Sequence, residues 1–178
     1  MNHYTEKQLR AQNWIDDIIS TWRHSKNTEM VSKLLMEVPE IERLMVLESL
    51  IWIALEATEW ELASFCVSKG ICIESESDEL SDWGSIRKAM EDFGDPADIV
   101  EWLLKNGAEI DRRGWLDRTP LMYASKNGYS DTVKTLVASG ADVNAYSEID
   151  GGCSPLMAAR SGGHGDIAKF LIENGAKV

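Results

Sequence analysis

Apolar residues fall at helical spacing along nearly the whole of this 178-residue chain. Near the N-terminus, Leu9, Trp14, Ile15, Ile18, Ile19 and Trp22 trace one amphipathic stripe, and Thr5-Glu6-Lys7-Gln8 ahead of it has capping-box spacing. Asn27-Thr28 followed by Met30, Val31, Leu34 and Leu35 predicts a short second helix that stops before Pro39. Residues 41–57 predict a longer helix, apolar around much of its circumference and therefore central to the N-terminal half. Four later segments share one layout of apolar positions ending in a glycine. They carry Leu62, Ala63, Phe65 and Cys66; Ile99, Val100, Trp102 and Leu103; Val133, Leu136 and Val137; and Ile167, Phe170 and Leu171. Their closing glycines, Gly70, Gly107, Gly140 and Gly175, are separated by steps of 37, 33 and 35 residues.

The last two segments sit inside a longer near-copy. Thr119-Pro120-Leu121-Met122-Tyr123-Ala124 recurs 35 residues later as Ser154-Pro155-Leu156-Met157-Ala158-Ala159. Each Thr or Ser is set to cap free backbone N–H groups, and proline at the first helical position has no N–H to leave unsatisfied. Gly128 and Gly163, nine residues after those caps, fit a left-handed turn between a short inner helix and a second, outer one. Neither helix pair buries its apolar face alone, so stacking on a neighbour is obligatory.

This motif and its period resemble the ankyrin repeat family. The resemblance implies an all-α ankyrin-repeat solenoid of about four helix-turn-helix units, the first two degenerate, with an N-terminal helical cap. On that reading residues 1–40 are the cap and 41–178 one continuous repeat region, with units near 41–73, 83–110, 115–143 and 150–178. The chain also departs from the family pattern. Met122 and Met157 stand where a histidine is usual, Arg160 takes the place of a second alanine, and the first two units lack the Thr-Pro-Leu start.

Composition narrows the function. Residues 37–98 carry 4 basic and 16 acidic side chains, a balance equal to the −12 of the entire chain. The density peaks at an acidic patch of Glu74, Glu76, Asp78, Glu79 and Asp82. A charge run of this kind is either a solvated loop that maintains solubility or a landing site that steers a basic partner. Both readings disfavour nucleic acid, whose phosphates need clustered Lys and Arg. No apolar run approaches the length of a membrane span. The three cysteines, Cys66, Cys72 and Cys153, form no CxxC pair and suit a reducing cytoplasm.

No catalytic constellation is visible. His3, His24 and His164 are scattered and form no metal-ligand spacing, and the glycines at 151–152 and 162–165 lack a phosphate-loop frame. No metal, cofactor or small-molecule substrate is expected. The ankyrin resemblance implies instead that a protein partner binds across the finger loops and the exposed side of the inner helices. Carried onto this chain, the first finger is residues 109–118, with Arg112, Arg113, Trp115 and Leu116 at its tip. The second is residues 142–153, with Tyr146, Glu148 and Ile149, and Tyr123, Lys126 and Asn127 lie on the inner helix. Trp115 beside two arginines has the composition of an interface hot spot, and folding back onto the neighbouring finger is the equal alternative. In size, charge and repeat type the chain also looks like the immunity proteins that accompany bacterial toxins. The implied function is a cytoplasmic binder that inhibits one partner, with a general adaptor as the alternative and an enzyme third.

Overall fold

The computed structural model describes residues 6–73 and 84–177, the side chains of Trp115 and Asp150 excepted. Among the described residues there are ten α-helices and no strand beyond one antiparallel bridge between Ser147 and Cys153. The chain divides into two compact units, Met1–Cys72 and Ile73–Val178.

The first unit contains α1 (Glu6–Ser25), α2 (Thr28–Glu37), α3 (Glu40–Glu56) and α4 (Trp60–Ser68). On α1 the buried line is Ala11, Ile15, Ile18 and Trp22. It is narrower than the apolar stripe in the sequence, since Leu9 is exposed and Trp14 and Ile19 are half-buried. Asn27 starts α2 by accepting the N–H groups of Glu29 at 2.8 Å and Met30 at 3.3 Å. Pro39 ends it, and Arg43 from α3 satisfies the freed carbonyls of Leu35, Met36 and Val38 at 3.1, 3.4 and 3.0 Å. The central role expected of α3 is realised, since it packs on both α1 and α4. Arg10 Nε reaches Glu42 Oε1 at 3.2 Å, tying α1 to a carboxylate that is only 3 % exposed.

The second unit contains α5 (Gly84–Phe93), α6 (Ala97–Lys105), α7 (Pro120–Asn127), α8 (Ser130–Ala138), α9 (Pro155–Gly162) and α10 (Gly165–Glu173). Inner helix α7 packs between α5 and α9, and outer helix α6 packs on α8. The caps form as the sequence predicts. Thr119 Oγ1 accepts Met122 N–H at 3.4 Å and Ser154 Oγ accepts Met157 N–H at 3.2 Å, while Gly128 and Gly163 both turn at φ 80°.

One hairpin geometry runs through both units. After Gly128 and Gly163, the N–H groups of Tyr129 and His164 bond the carbonyls of Ala124 and Ala159 at 3.0 and 2.9 Å. In the first unit Glu59 N–H bonds Ala54 O at 2.8 Å, and Thr58 takes the glycine's place at φ 54°. The residues that open α4, α6, α8 and α10 (Glu59, Pro96, Tyr129 and His164) all lie near φ −85°, with ψ of 72, 61, 78 and 73°. Each outer helix then buries the same three positions: Leu62, Ala63 and Cys66; Ile99, Val100 and Leu103; Thr132, Val133 and Leu136; Ile167, Ala168 and Leu171.

Within the second unit, side chains of one hairpin satisfy the backbone of the next. Asp95 accepts the N–H groups of Asp131 and Thr132 at 3.1 and 2.7 Å, which caps α8 from the preceding turn. Asp111 accepts Asp142 N–H at 3.1 Å, and Asn144 accepts Lys177 N–H at 2.8 Å while donating to Gly175 O at 3.0 Å. His164 Nε2 lies 3.1 Å from Lys126 O, the structural role its place in the turn suggests.

Candidate protein-binding surface

The first finger tip is held in a conformation that side chains disfavour. Leu116 and Asp117 have φ of 61° and 55°, consecutive left-handed residues without a glycine, each costing about 1–2 kcal/mol in an unsupported chain. Several bonds over-determine the turn. Asp117 N–H bonds Gly114 O at 2.9 Å, and Gly114 N–H bonds Arg118 O at 3.1 Å. Arg113 Nη1 donates to the Asp117 carboxylate at 2.6 Å and to its carbonyl at 3.1 Å. The same nitrogen reaches Tyr146 O at 3.2 Å, in the second finger.

The second finger returns that contact. Ser147 is fully buried, and its hydroxyl donates to Leu116 O at 2.8 Å. Its backbone exchanges two 2.9 Å hydrogen bonds with Cys153, closing the loop at its base. Gly152, at φ 85°, lies under the Tyr146 hydroxyl, where any Cβ would come within 2.0 Å of that oxygen. The two fingers thus form one braced platform. It presents Tyr146 and Ile149, each 50 % exposed, with Glu148 and Arg113 also at the surface.

On α7, Tyr123 is half-buried between two partners. The Arg87 guanidinium lies 4.6 Å from its ring centroid, and the Tyr129 ring lies 6.4 Å away at 60°. Arg87 also pairs with Glu91 at 3.2 Å. Burial lowers the pKa of Arg87 and raises that of Tyr123 from their ordinary values. Tyr123 is thereby a fixed ledge, and Lys126 and Asn127, one turn on, are exposed.

The structure therefore brings Arg113, Leu116, Tyr146, Glu148 and Ile149 together on the platform and places Tyr123, Lys126 and Asn127 on α7. Arg112 does not share the tip. It folds back so that its Cδ would sit 2.8 Å from a Cβ at Gly84, at the start of α5. Trp115 lies in the 3-10 turn Trp115–Asp117, its side chain outside the description, and Glu74, Glu76, Asp78, Glu79 and Asp82 lie outside the described residues. Sequence reading missed Arg87 and Tyr129. Arg87 stands 35 residues before Met122, at a position that is apolar in both later inner helices, and that break in pattern was its signal.

Other chemistry is sparse. Burial pushes the Cys66 thiol up to about 12, as expected of a small core residue on α4. Among the described residues no group of three or more His, Cys, Asp or Glu side chains gathers as a metal site, and no helix is long and apolar enough to cross a membrane.

A family model described as "Ankyrin repeats (3 copies)" matches residues 86–178, just over half of the chain. A Rickettsia bellii (strain RML369-C) protein, provisionally named as an ankyrin repeat protein, is 35 % identical over 52 residues. That match covers 29 % of this chain and 16 % of the relative, so this chain corresponds to a small part of that protein's length. Repeats of this type serve as protein-interaction scaffolds, and the helix pairs, caps and stacked hairpins of the second unit place this chain in the ankyrin repeat family.

Proposed function

We propose that the chain recognises one protein partner through the two-finger platform and the exposed side of α7, and that binding occludes the partner. The observation that carries this reading is the cross-bracing of the fingers by Arg113 and Ser147 beneath exposed Tyr146 and Ile149. Large aromatic and aliphatic side chains on a pre-ordered support lose little entropy on binding, which is the setting in which hot spots form. An immunity protein that neutralises a toxin is the specific form of this proposal, supported by analogy of size, charge and repeat type. In that form the protein is cytoplasmic, has no catalytic activity, and meets a basic partner whose approach the acidic stretch of residues 74–82 accelerates.

Capture from the native host with wild-type chain and with Tyr146→Ala/Ile149→Ala tests the reading. One stoichiometric protein partner is expected, bound at least about tenfold more weakly by the double variant with an unchanged melting temperature. Equal retention by both chains overturns the platform. Trp115→Ala is expected to weaken the same complex by more than about 1 kcal/mol. A captured partner whose toxicity in co-expression is not relieved removes the immunity form, and capture of several unrelated proteins favours the general adaptor.

A further inference from the structure

On the first unit, large apolar side chains stand in water around the corner between α2 and α3. Ile41 is 78 % exposed, Met36 75 % and Leu44 57 %. Along α3, Ile41, Leu44, Met45 and Glu48 follow i, i+3, i+4 and i+7 spacing and share one face, while Val46, Leu47 and Leu50 on another face are buried. α3 is 17 residues long, where inner helices α7 and α9 have 8 each, and the exposed residues lie on its extra N-terminal turns.

Carboxylates outnumber cations around this patch. Glu37 ends α2, and Glu40 and Glu48 lie on α3. Two arginines stand against them: Arg10 pairs with Glu42 at 3.2 Å, and Arg43 keeps its charge, since its partners are neutral carbonyls. Arg43 spends its guanidinium on the carbonyls of Leu35, Met36 and Val38, and Lys33 pairs with Glu29 at 3.2 Å. An apolar strip with a carboxylate rim complements a helix with an apolar stripe flanked by Lys or Arg. Methionine adapts to the shape of whatever side chains enter. The same rim opposes a second copy of this face, which would set carboxylate against carboxylate, and it opposes an anionic lipid surface.

We infer that the Met36, Ile41 and Leu44 face docks a basic amphipathic helix of a protein partner. This surface lies outside the matched repeats and does not rest on the finger platform. The probe is a labelled peptide of roughly 18 residues with leucines at i, i+3, i+4 and i+7 and lysines elsewhere, titrated against the full chain by fluorescence anisotropy. Its controls are a scrambled peptide of the same composition and a peptide with glutamate replacing lysine.

The ordered Leu–Lys peptide is expected to bind at least about tenfold more tightly than either control. Ile41→Ser/Leu44→Ser should weaken it about tenfold, and Glu37→Gln/Glu40→Gln about threefold with a shallower salt dependence. Both variants change exposed residues, so circular dichroism and the melting temperature should stay unchanged. Equal binding of the scrambled peptide, or no effect of the serine variant, overturns the proposal. So does a wild-type dimer in solution that the serine variant abolishes, because a second copy would then cover the face. Tyr146→Ala/Ile149→Ala should bind the peptide normally, so failure here leaves the platform reading intact.

Discussion

Between α7 and α8 the chain turns on Gly128, and at the corresponding turn between α3 and α4 it turns on Thr58. Both turns are closed by the same bond, from the residue that opens the outer helix to an alanine carbonyl five residues back. Both outer helices then bury the same three positions. A second difference lies before the turn. Thr119 caps α7 five residues ahead of Ala124, whereas Ser49, five ahead of Ala54, lies within the unbroken α3. The comparison teaches that the backbone bond and the buried outer face define this hairpin. The cap and the glycine make it cheaper to form and easier to see in a sequence.

The strongest way to break this equivalence is through the shared outer-helix core. Leu136→Ala and Leu62→Ala remove side chains that are 0 % and 2 % exposed, from the third and the first of the three shared buried positions. Each should cost about 2–5 kcal/mol by urea denaturation. A cost under about 1 kcal/mol for Leu62→Ala would mean that α4 is not packed as its counterpart is.

The turns offer a mirrored pair. A Cβ at Gly128 would sit 2.5 Å from the His164 ring at a φ of 80°, so Gly128→Ala should destabilise by about 1–3 kcal/mol. Thr58→Gly relieves a left-handed β-branched residue and should gain about 0.5–1 kcal/mol, with the larger unfolded-state entropy of glycine limiting the benefit. A loss on Thr58→Gly would show that the threonine side chain supports its turn in a way glycine does not.

Asp95 is peculiar to the second unit, and Asp95→Ala leaves two N–H groups of α8 without their acceptor. The expected loss is about 1–2 kcal/mol, seen in urea melts and in faster amide exchange at Thr132. The smallest effect belongs to the first unit. Lys26 hydrogen-bonds Glu59 and lowers the pKa of its carboxyl, so the folded state favours the ionised form. That contribution is complete above the ordinary carboxylate range and fades as pH falls through the lowered value. For a pair this exposed it amounts to about 0.5 kcal/mol. Wild type should therefore exceed Glu59→Gln by that amount at pH 7, and the two should converge once the pH falls below the lowered value, both measured by urea denaturation.

The second unit was legible because Thr119-Pro120 and Ser154-Pro155 print their helix starts in local chemistry, and the glycines print the ends. The inner helix of the first hairpin carries no such boundary, because α3 runs straight through it and Thr58 hides the turn. On the platform, the exposure of Tyr146 and Ile149 followed from their place in the longer finger. The burial of Ser147 did not, since its hydroxyl partner is a carbonyl 31 residues away. Arg112 and Arg113 are adjacent and alike in sequence. Only the fold separates one that folds back to the start of α5 from one that braces two loops.

Asp111 and Asn144 reach into the following hairpin and bond to main-chain N–H groups. The receiving half of each joint is a group that every residue except proline supplies, so the neighbour's side chains are not consulted. Excising the 33 residues from 112 to 144 would leave Asp111 where Asn144 now stands, still opposite such a group. Recombination can therefore lengthen or shorten this array a whole period at a time, while the exposed finger-tip residues change independently of the joints.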